Sequence, residues 1–570
     1  MRSAQEEPSA WSRYGAIALL VTCVFVLFGR ILGHPFIAFD DFEFILRNPQ
    51  VTHPGNSFLD QLFTPEVGYI VPVTVNFEAF LNWIGSGRPW IFHGAALLLH
   101  AVFVVQLFML GLRLTQRVWL STLTCLLFAL HPLVVEPVSW AICLKDLLMA
   151  NLALAATRCF LSLATRPPGA SGGIIGAAGA VGFSILAMFA KPSAVLLGWG
   201  WLGYLGARWI YVREDPAATS SGLNPAAIKA AGVVVISGMI IGLMSWFSHN
   251  TLLGNAVVPV ESTLATPLLV LGEHVLHILW PVSLHPLYSL RLDSGLLSPG
   301  VWLGIATVIA WLLWVFSVRK KPRWLLFPLL AAAVYLPVSG VLSFNRLMSD
   351  SYMYFPLAML AMSLALWLVD VLSRVRARWV QRVGPVVLIL AVGLLALRSS
   401  KQIDRWQGGA ALWAPVIQAF PGSALANFLA ADEYFARRQF DDAVSAFRQG
   451  YQIKYAPEYL AEFGMALLMA RKLNDAECVL IEAIYNGDDF QLALFNYAML
   501  LYRYRERAPV YPEQAAFLLS YYLQEARAGR SRALPGMVDR LTKRVRELGA
   551  KAASPPNWPV RSCVILHLLR

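Results

Sequence analysis

The chain has 570 residues, of which 57% are hydrophobic and 14% are charged, and its mean hydropathy is +0.57. Soluble domains are roughly 45–50% apolar and about 25% charged, so the composition excludes an ordinary soluble enzyme. The net charge is +12. Because the basic residues lie in short loops beside apolar segments, this charge indicates membrane topology and not nucleic-acid binding.

Apolar segments of about twenty residues, the length that crosses a bilayer core of roughly 30 Å, recur as far as residue 398 and predict about eleven membrane-spanning helices. These lie at 15–33, 91–112, 118–134, 139–160, 172–190, 193–211, 229–247, 300–318, 324–342, 352–372 and 383–398. The loops on the N-terminal side carry most of the Arg and Lys residues, which predicts a cytoplasmic N-terminus. An odd number of spans then places everything after Leu397 outside the cytoplasm.

A twelfth apolar segment, Ser262 to Leu284, contains Glu273, His274 and His277. These side chains are costly in contact with lipid but are tolerated where they line a cavity, so we interpret the segment as re-entrant or interfacial.

The sequence predicts a membrane domain over residues 1–398, with a large extracytoplasmic loop at 34–90, and a water-soluble domain over residues 399–570. The six cysteines have no metal-ligand spacing and indicate neither a zinc site nor a disulfide scaffold. We expect an integral protein of a bacterial inner membrane with the second domain in the periplasm, or of the endoplasmic reticulum membrane in a eukaryote.

The second domain contains an internal repeat of 33 residues. Ala431, Tyr434 and Ala443 recur as Gly464, Leu467 and Ala476. Small residues at this spacing allow two antiparallel helices to approach closely, which is typical of a tetratricopeptide-repeat α-solenoid. A looser third copy is predicted over 491–526, followed by a capping helix near 536–548. Such a solenoid is either a structural cap or a surface that binds a partner.

Two adjacent acids, Asp40 and Asp41, follow the first predicted span in the string FDDFEFILRNPQV, residues 39–51. Adjacent carboxylates at a membrane surface repel each other, so they indicate a shared proton, a metal or a substrate; alternatively they cap the short helix that follows. The predicted topology brings other ionisable residues to the same membrane face, and this convergence predicts a site there. These residues are His131, Glu136, Lys145, Asp146, Lys191, Arg346 and Asp350.

Further strings follow in order. They are PVTVNF (72–77), FHGAALLLH (92–100), HPLVVEPVSW (131–140), KDLL (145–148), AKPSAV (190–195), LWPVSLHPLY (279–288) and MSDSYMYFP (348–356). Together with FDDFEFILRNPQV they resemble the polyprenyl-phosphate-sugar-dependent glycosyltransferases of the GT-C fold, in the branch with C-terminal tetratricopeptide repeats, which is similar to the protein O-mannosyltransferases. Two positions depart from that pattern: Ala96 replaces an Asn, and Ser351 replaces an Arg.

The resemblance implies an all-α polytopic membrane protein of the GT-C fold followed by the repeat solenoid. It also implies transfer of a sugar from a polyprenyl-phosphate carrier to an acceptor hydroxyl, which we expect to be a protein Ser or Thr held by the repeats. Asp40 or Asp41 would be the general base. Cations would meet the departing phosphate, with Lys145, Lys191 and Arg346 as candidates. The remaining substrate-binding candidates are His131, Glu136, Asp146, Asp350 and Tyr352.

Several alternatives stay open at the level of sequence. The acceptor could instead be a lipid-linked glycan or a cell-surface polysaccharide, and the chain could be a non-catalytic membrane anchor for a repeat docking platform. A lipid-sugar transporter is disfavoured because the two halves of the membrane domain lack internal symmetry. No cofactor is indicated, although a divalent metal is not excluded. His93 and His100 are expected to be packing residues.

Overall fold

The computed structural model describes residues 10–53, 70–167, 172–214, 223–253, 265–289, 298–319, 321–341, 346–374, 378–486, 490–504, 506, 511–527, 542–543 and 545. The chain divides into two compact units, Met1–Leu412 and Trp413–Arg570. Within the described residues every regular element is a helix.

The first unit is a bundle of helices connected by short 3-10 segments. Its helices are α1 (Ala10–Phe28), α2 (Pro49–Thr52), α3 (Pro72–Gly85), α4 (Pro89–Thr115), α5 (Val118–Ala129), α6 (Val135–Ser139), α7 (Leu144–Ala164), α8 (Gly173–Ala190), α9 (Leu197–Glu214), α10 (Pro225–Leu253), α11 (Ala265–Leu279), α12 (Pro299–Val318), α13 (Pro322–Tyr335), α14 (Tyr354–Arg374) and α15 (Arg378–Arg405). The next helix, α16 (Ala410–Ala419), contains the boundary between the two units. The 3-10 segments are Gly29–Gly33, Pro132–Val134, Ala141–Cys143, Pro192–Leu196, Leu336–Val338 and Asp350–Met353, and a π-helical turn spans Phe42–Leu46.

Eight described helices are long and apolar enough to cross a membrane, and the regular elements of the described residues confirm the predicted all-helical class. They are Ala10–Gly33, Pro89–Thr115, Ala141–Ala164, Gly173–Ala190, Pro225–Ser248, Pro299–Val318, Asp350–Val371 and Val383–Arg405. A ninth is reached if the bent pair Val118–Ala129 and Pro132–Ser139 counts as one span.

The structure therefore has fewer uninterrupted spans than the eleven predicted. The predicted span 118–134 breaks at Pro132 with a bend of 59°. Proline cannot donate the backbone hydrogen bond that would continue a helix, and it restricts the residue before it. Similarly, α13 has only 14 residues and passes into a 3-10 turn that contains Pro337. The predicted span 193–211 is divided between a 3-10 turn and the 18-residue α9.

The ambiguous segment Ser262–Leu284 contains α11, a helix of 15 residues. This is too short for a typical bilayer span. It runs antiparallel to α12 with its backbone in close contact, because Gly272 lies against the carbonyl of Gly300, and Gly304 lies against that of Leu268. A side chain at Gly272 or Gly304 would collide with the opposite backbone.

The second unit consists of helix pairs in which consecutive helices pack against each other. Its helices are α17 (Ala424–Ala436), α18 (Phe440–Ile453), α19 (Leu460–Met469), α20 (Leu473–Asn486), α21 (Phe490–Arg503) and α22 (Tyr511–Arg527). The repeated small residues lie where helices meet: Gly450 faces Phe428, and Gly464 faces Leu480. Most of the predicted capping helix near 536–548 lies outside the described residues.

The cysteines differ between the two units. Cys23, Cys125, Cys143 and Cys159 are free thiols of the first unit, whereas Cys478 on α20 is disulfide-bonded. The cysteine spacing gave no indication of this bond, because disulfide pairing depends on which residues approach each other in the folded chain.

Candidate functional site

Asp41 is completely buried and connects two backbone segments. Its Oδ2 accepts a hydrogen bond of 2.9 Å from the Ile37 N–H, and its Oδ1 accepts one of 3.0 Å from the Ile142 N–H. The carboxylate thus fixes the loop after α1 against the turn that precedes α7. Asp41 therefore stabilises the local fold through its two backbone hydrogen bonds.

Asp40 has a different environment from its neighbour. Its side chain is half-buried, and no hydrogen bond to its carboxylate is found among the described residues. Burial raises the pKa of Asp40 above its ordinary value, whereas the positive charges of Arg346 and Lys145 lower it in part. Asp40 is therefore a partly exposed carboxylate that interacts electrostatically with two cations.

Arg346 is held in a fixed position beside Asp40. Its guanidinium lies 4.9 Å from the ring centroid of Trp140 and 5.4 Å from that of Phe39, and these two rings stack on each other. The guanidinium also donates to the carbonyl oxygen of Pro286. Its distance to Glu136 Oε1 is 3.7 Å. Since 17% of the side chain stays exposed, the guanidinium has a fixed orientation and remains partly accessible to solvent.

Lys191 and Asp146 form a buried ion pair at the junction of α8 and α7. The Lys191 Nζ lies 4.9 Å from the ring centroid of Tyr352, and the Tyr352 hydroxyl donates to the carbonyl oxygen of Arg346 at 3.1 Å. Tyr352 consequently connects the environments of the two cations.

Lys145 comes one residue before Asp146 in the first turn of α7. Its ammonium group lies 5.5 Å from the ring centroid of Phe44 and interacts electrostatically with Asp146, Asp40 and Glu78. Consecutive residues of a helix point in different directions, so Lys145 is directed to Asp40 while Asp146 is directed to Lys191.

Glu136 is 1% exposed and is connected to the segment that precedes α14. Its Oε1 accepts a hydrogen bond from the Ser349 hydroxyl, and the Ser351 N–H lies 3.4 Å from the same oxygen. Asp350 is also buried and accepts a hydrogen bond of 2.8 Å from the Tyr288 hydroxyl. Ser351, where the related pattern has Arg, thus donates to a carboxylate through its backbone.

The ring nitrogens of His131 contact backbone groups and not the side chains of this cluster. Its Nδ1 accepts from the Leu133 N–H at 3.2 Å, and its Nε2 lies 3.1 Å from the carbonyl oxygen of Ile278. One nitrogen therefore bonds to the backbone at the break after α5, and the other contacts the last turn of α11. His100 is similarly surrounded, with Nδ1 2.7 Å from the Tyr354 hydroxyl and Nε2 3.2 Å from the Ala129 carbonyl oxygen.

The fold thus brings together most of the site residues that the sequence predicts. Those linked by the contacts above are Asp40, Glu136, Lys145, Asp146, Lys191, Arg346, Asp350 and Tyr352. Asp41 is next to Asp40 in the chain, but its carboxylate accepts hydrogen bonds from backbone N–H groups. His131 also bonds to the backbone.

Sequence reasoning missed Glu78, Ser349 and Tyr288 as members of the cluster. Glu78 lies within α3 just after the PVTVNF string, and the other two lie inside strings that were recognised. The sequence feature that could have identified these residues is a polar side chain within an apolar segment. The partner of each residue is 60 or more positions away in the chain, so only the fold identifies it.

No family model matches the chain, and no curated protein or solved structure matches it. Within the described residues, no group of three or more His, Cys, Asp or Glu side chains is arranged to hold a metal ion. The arrangement does offer a carboxylate beside fixed cations at the ends of membrane helices. Such a site can accept a proton and bind an anion at the same time.

Proposed function

We propose that the chain is a membrane glycosyltransferase of the GT-C class that transfers a sugar from a polyprenyl-phosphate carrier to an acceptor hydroxyl. The observation that carries this proposal is the position of Asp40, a half-buried carboxylate that interacts electrostatically with Arg346 and Lys145. The ordered strings from FDDFEFILRNPQV to MSDSYMYFP support the same class.

Asp40 is the general base in this proposal, and Asp41 is not. A base must be able to reach the acceptor hydroxyl. The Asp41 oxygens both accept backbone N–H bonds, whereas Asp40 has none of these bonds. In the reaction the acceptor O–H proton moves to Asp40, the acceptor oxygen bonds to the anomeric carbon, and the bond from that carbon to the phosphate oxygen breaks with its electron pair leaving on the phosphate.

Arg346 and Lys145 stabilise the negative charge that develops on the departing phosphate. Arg346 is the better oriented of the two because aromatic rings and the Pro286 carbonyl hold its guanidinium. Lys191 is neutralised by Asp146, so its contribution is smaller. A fixed cation needs little reorganisation during the reaction, which is how preorganised sites lower barriers.

Purified full-length protein tests the proposal when it is incubated with a polyprenyl-phosphate-linked monosaccharide or with the corresponding nucleotide sugar. We expect turnover only with the lipid-linked donor, and turnover lower by roughly 10²-fold or more in the Asp40→Asn variant. Turnover with a nucleotide sugar in the absence of lipid carrier would exclude this reaction class.

We infer that the second unit is a tetratricopeptide-repeat solenoid outside the cytoplasm. The small residues at helix contacts support the repeat assignment. Eleven crossings follow if the bent pair, α9 and α13 cross in addition to the eight long helices. A C-terminal tag that is reached only after the cytoplasmic side is opened would contradict this location.

The acceptor we propose is a protein Ser or Thr in an extended segment that the solenoid binds, because repeat solenoids offer grooves suited to extended peptides. Deletion of residues 424–550 is expected to abolish modification of protein while leaving the membrane unit folded. Transfer to a lipid-linked glycan acceptor that survives this deletion would assign the acceptor to that class instead.

A further inference from the structure

The helix α3 buries Val75, Ala79 and Leu81 and also carries large apolar side chains on its outer side, unlike a helix on the surface of a soluble protein. Its buried side contains the polar residues Thr74 and Glu78. Its outer side is an apolar stripe formed by Val73, Phe77, Phe80, Trp83 and Ile84. The spacing of these residues follows the 3.6-residue period, so they lie along one face of the helix.

The outward end of this stripe is strongly exposed. Phe80 is 51% exposed, Trp83 is 76% exposed and Ile84 is 50% exposed. Large contiguous apolar patches are rare on surfaces that face water. At the same time, α3 has only 14 residues and is too short to cross a bilayer.

The chain itself places α3 at the level of a membrane surface. The helix ends at Gly85, and the 27-residue candidate span α4 begins at Pro89. Gly85 lies directly against Ile91 in the first turn of α4, so the end of α3 packs on the start of that span. Trp90 in the same turn is 50% exposed.

Trp280, which directly follows α11, is 66% exposed, and Trp90 at the start of α4 is half-exposed. His277 in the last turn of α11 lies 3.8 Å from Asp350, which places the end of α11 near the site. Tryptophan is enriched where a protein passes the boundary between hydrocarbon and water, so these residues mark that boundary beside the site.

We propose that α3 lies flat in the membrane–water interface and that its apolar stripe inserts between the lipids of the bilayer. The partner of this surface is the bilayer itself. The only ionisable residue of α3 is Glu78, which is buried, so insertion is driven by apolar burial and does not require anionic lipids.

The buried side of α3 connects this insertion to the candidate site. Thr74 donates to the carbonyl oxygen of Ala190 at 2.8 Å, directly before Lys191. Asn82 donates to the Val51 carbonyl oxygen at 3.2 Å, and Glu78 interacts with Lys145. Through these contacts α3 fixes the depth of the site relative to the lipid surface. The inference does not depend on the reaction proposed above.

Spin labels on the full chain in phosphatidylcholine vesicles test the proposal. Trp83→Cys carries the label, in a background where the partly exposed free thiols are removed by Cys23→Ala and Cys159→Ala. The matched control is Glu43→Cys, an exposed polar position of the Asp40 segment. We expect the ratio of collisions with oxygen to collisions with a water-soluble nickel complex to be several-fold higher at 83 than at 43.

Phe80→Cys serves as a second position if Trp83→Cys does not fold, with the same expected result. Exchange of phosphatidylcholine for phosphatidylglycerol should leave the ratio unchanged. A ratio at 83 as low as that of a label in water would place α3 in water and overturn the proposal. A label at 83 that is inaccessible to both reagents, or that broadens by contact with a second label, would show that protein covers the stripe and would also overturn it.

Discussion

The two units treat charged side chains in opposite ways. In the first unit, acids and bases such as Asp146 and Lys191 are buried together at the ends of helices. In the second unit, pairs such as Arg448 with Asp475 are partly exposed, and alanine, leucine and aromatic residues fill the core. Burying charges costs free energy even when they are paired, because the loss of hydration can exceed their mutual attraction. The first unit therefore carries a cost that packing alone does not explain, and chemistry should be sought there.

The same contrast exists on a smaller scale between Asp40 and Asp41. Asp41 accepts two backbone N–H bonds, and Asp40 faces cations. We predict that Asp40→Asn lowers turnover by roughly 10²-fold or more, since an amide cannot accept the hydroxyl proton. Turnover is measured at saturating donor and acceptor, with insertion checked by gel filtration.

Asp41→Asn is the matched variant for this comparison. It should destabilise the first unit by about 1–3 kcal/mol, because the amide NH₂ cannot accept a buried N–H bond. Its loss of activity should then follow its loss of folded protein. Near-normal turnover in both variants would mean that the acid pair is structural.

The pH dependence sharpens the assignment of Asp40. Because burial raises its pKa, the ionised base is lost as the pH falls through a value above the ordinary Asp range, and turnover should drop about tenfold per pH unit below it. A raised pKa in the folded state also means that the ionised group opposes folding above its unfolded pKa. Asp40→Asn should consequently be at least as stable as the original chain at neutral pH.

The cations should have a smaller effect than the base. Arg346→Ala is expected to reduce kcat/KM for the lipid-linked donor by about tenfold or more, because a fixed cation is lost beside the phosphate. Lys191→Ala should have a smaller effect, since Asp146 already neutralises this lysine. Arg30→Ala is a suitable control because Arg30 pairs with Asp404 in a partly exposed position. Equal losses in all three variants would contradict a specific role for Arg346.

The smallest effect is expected in the second unit. Gly450→Ala should destabilise it by about 1–3 kcal/mol, because the added methyl group meets the Phe428 ring, at 2.5 Å from the nearest ring atom. Gly422→Ala is the control, since nothing lies within 4 Å of its added carbon. Urea unfolding monitored by proteolysis of the second unit compares them. Equal midpoints would show that the helices do not meet closely at Gly450.

The sequence by itself determined the helical class and the apolar segments long enough to cross a membrane. Apolar length and helical period are local properties of the chain, so the spans near Pro89–Thr115 and Pro299–Val318 could be predicted. The spacing of small residues such as Ala431 and Ala443 likewise predicted the repeated helices of the second unit.

Only the tertiary structure decided which side chain bonds to which. The sequence alone does not distinguish the adjacent residues Asp40 and Asp41. They differ in the fold because the N–H of Ile142, about a hundred positions away, donates to Asp41. Helix interruptions at Pro132 and Pro337 also depend on how the chain packs, since proline in an apolar segment is compatible with a kink or a break. Contacts between distant residues follow from the packing of the whole bundle, which no local pattern records.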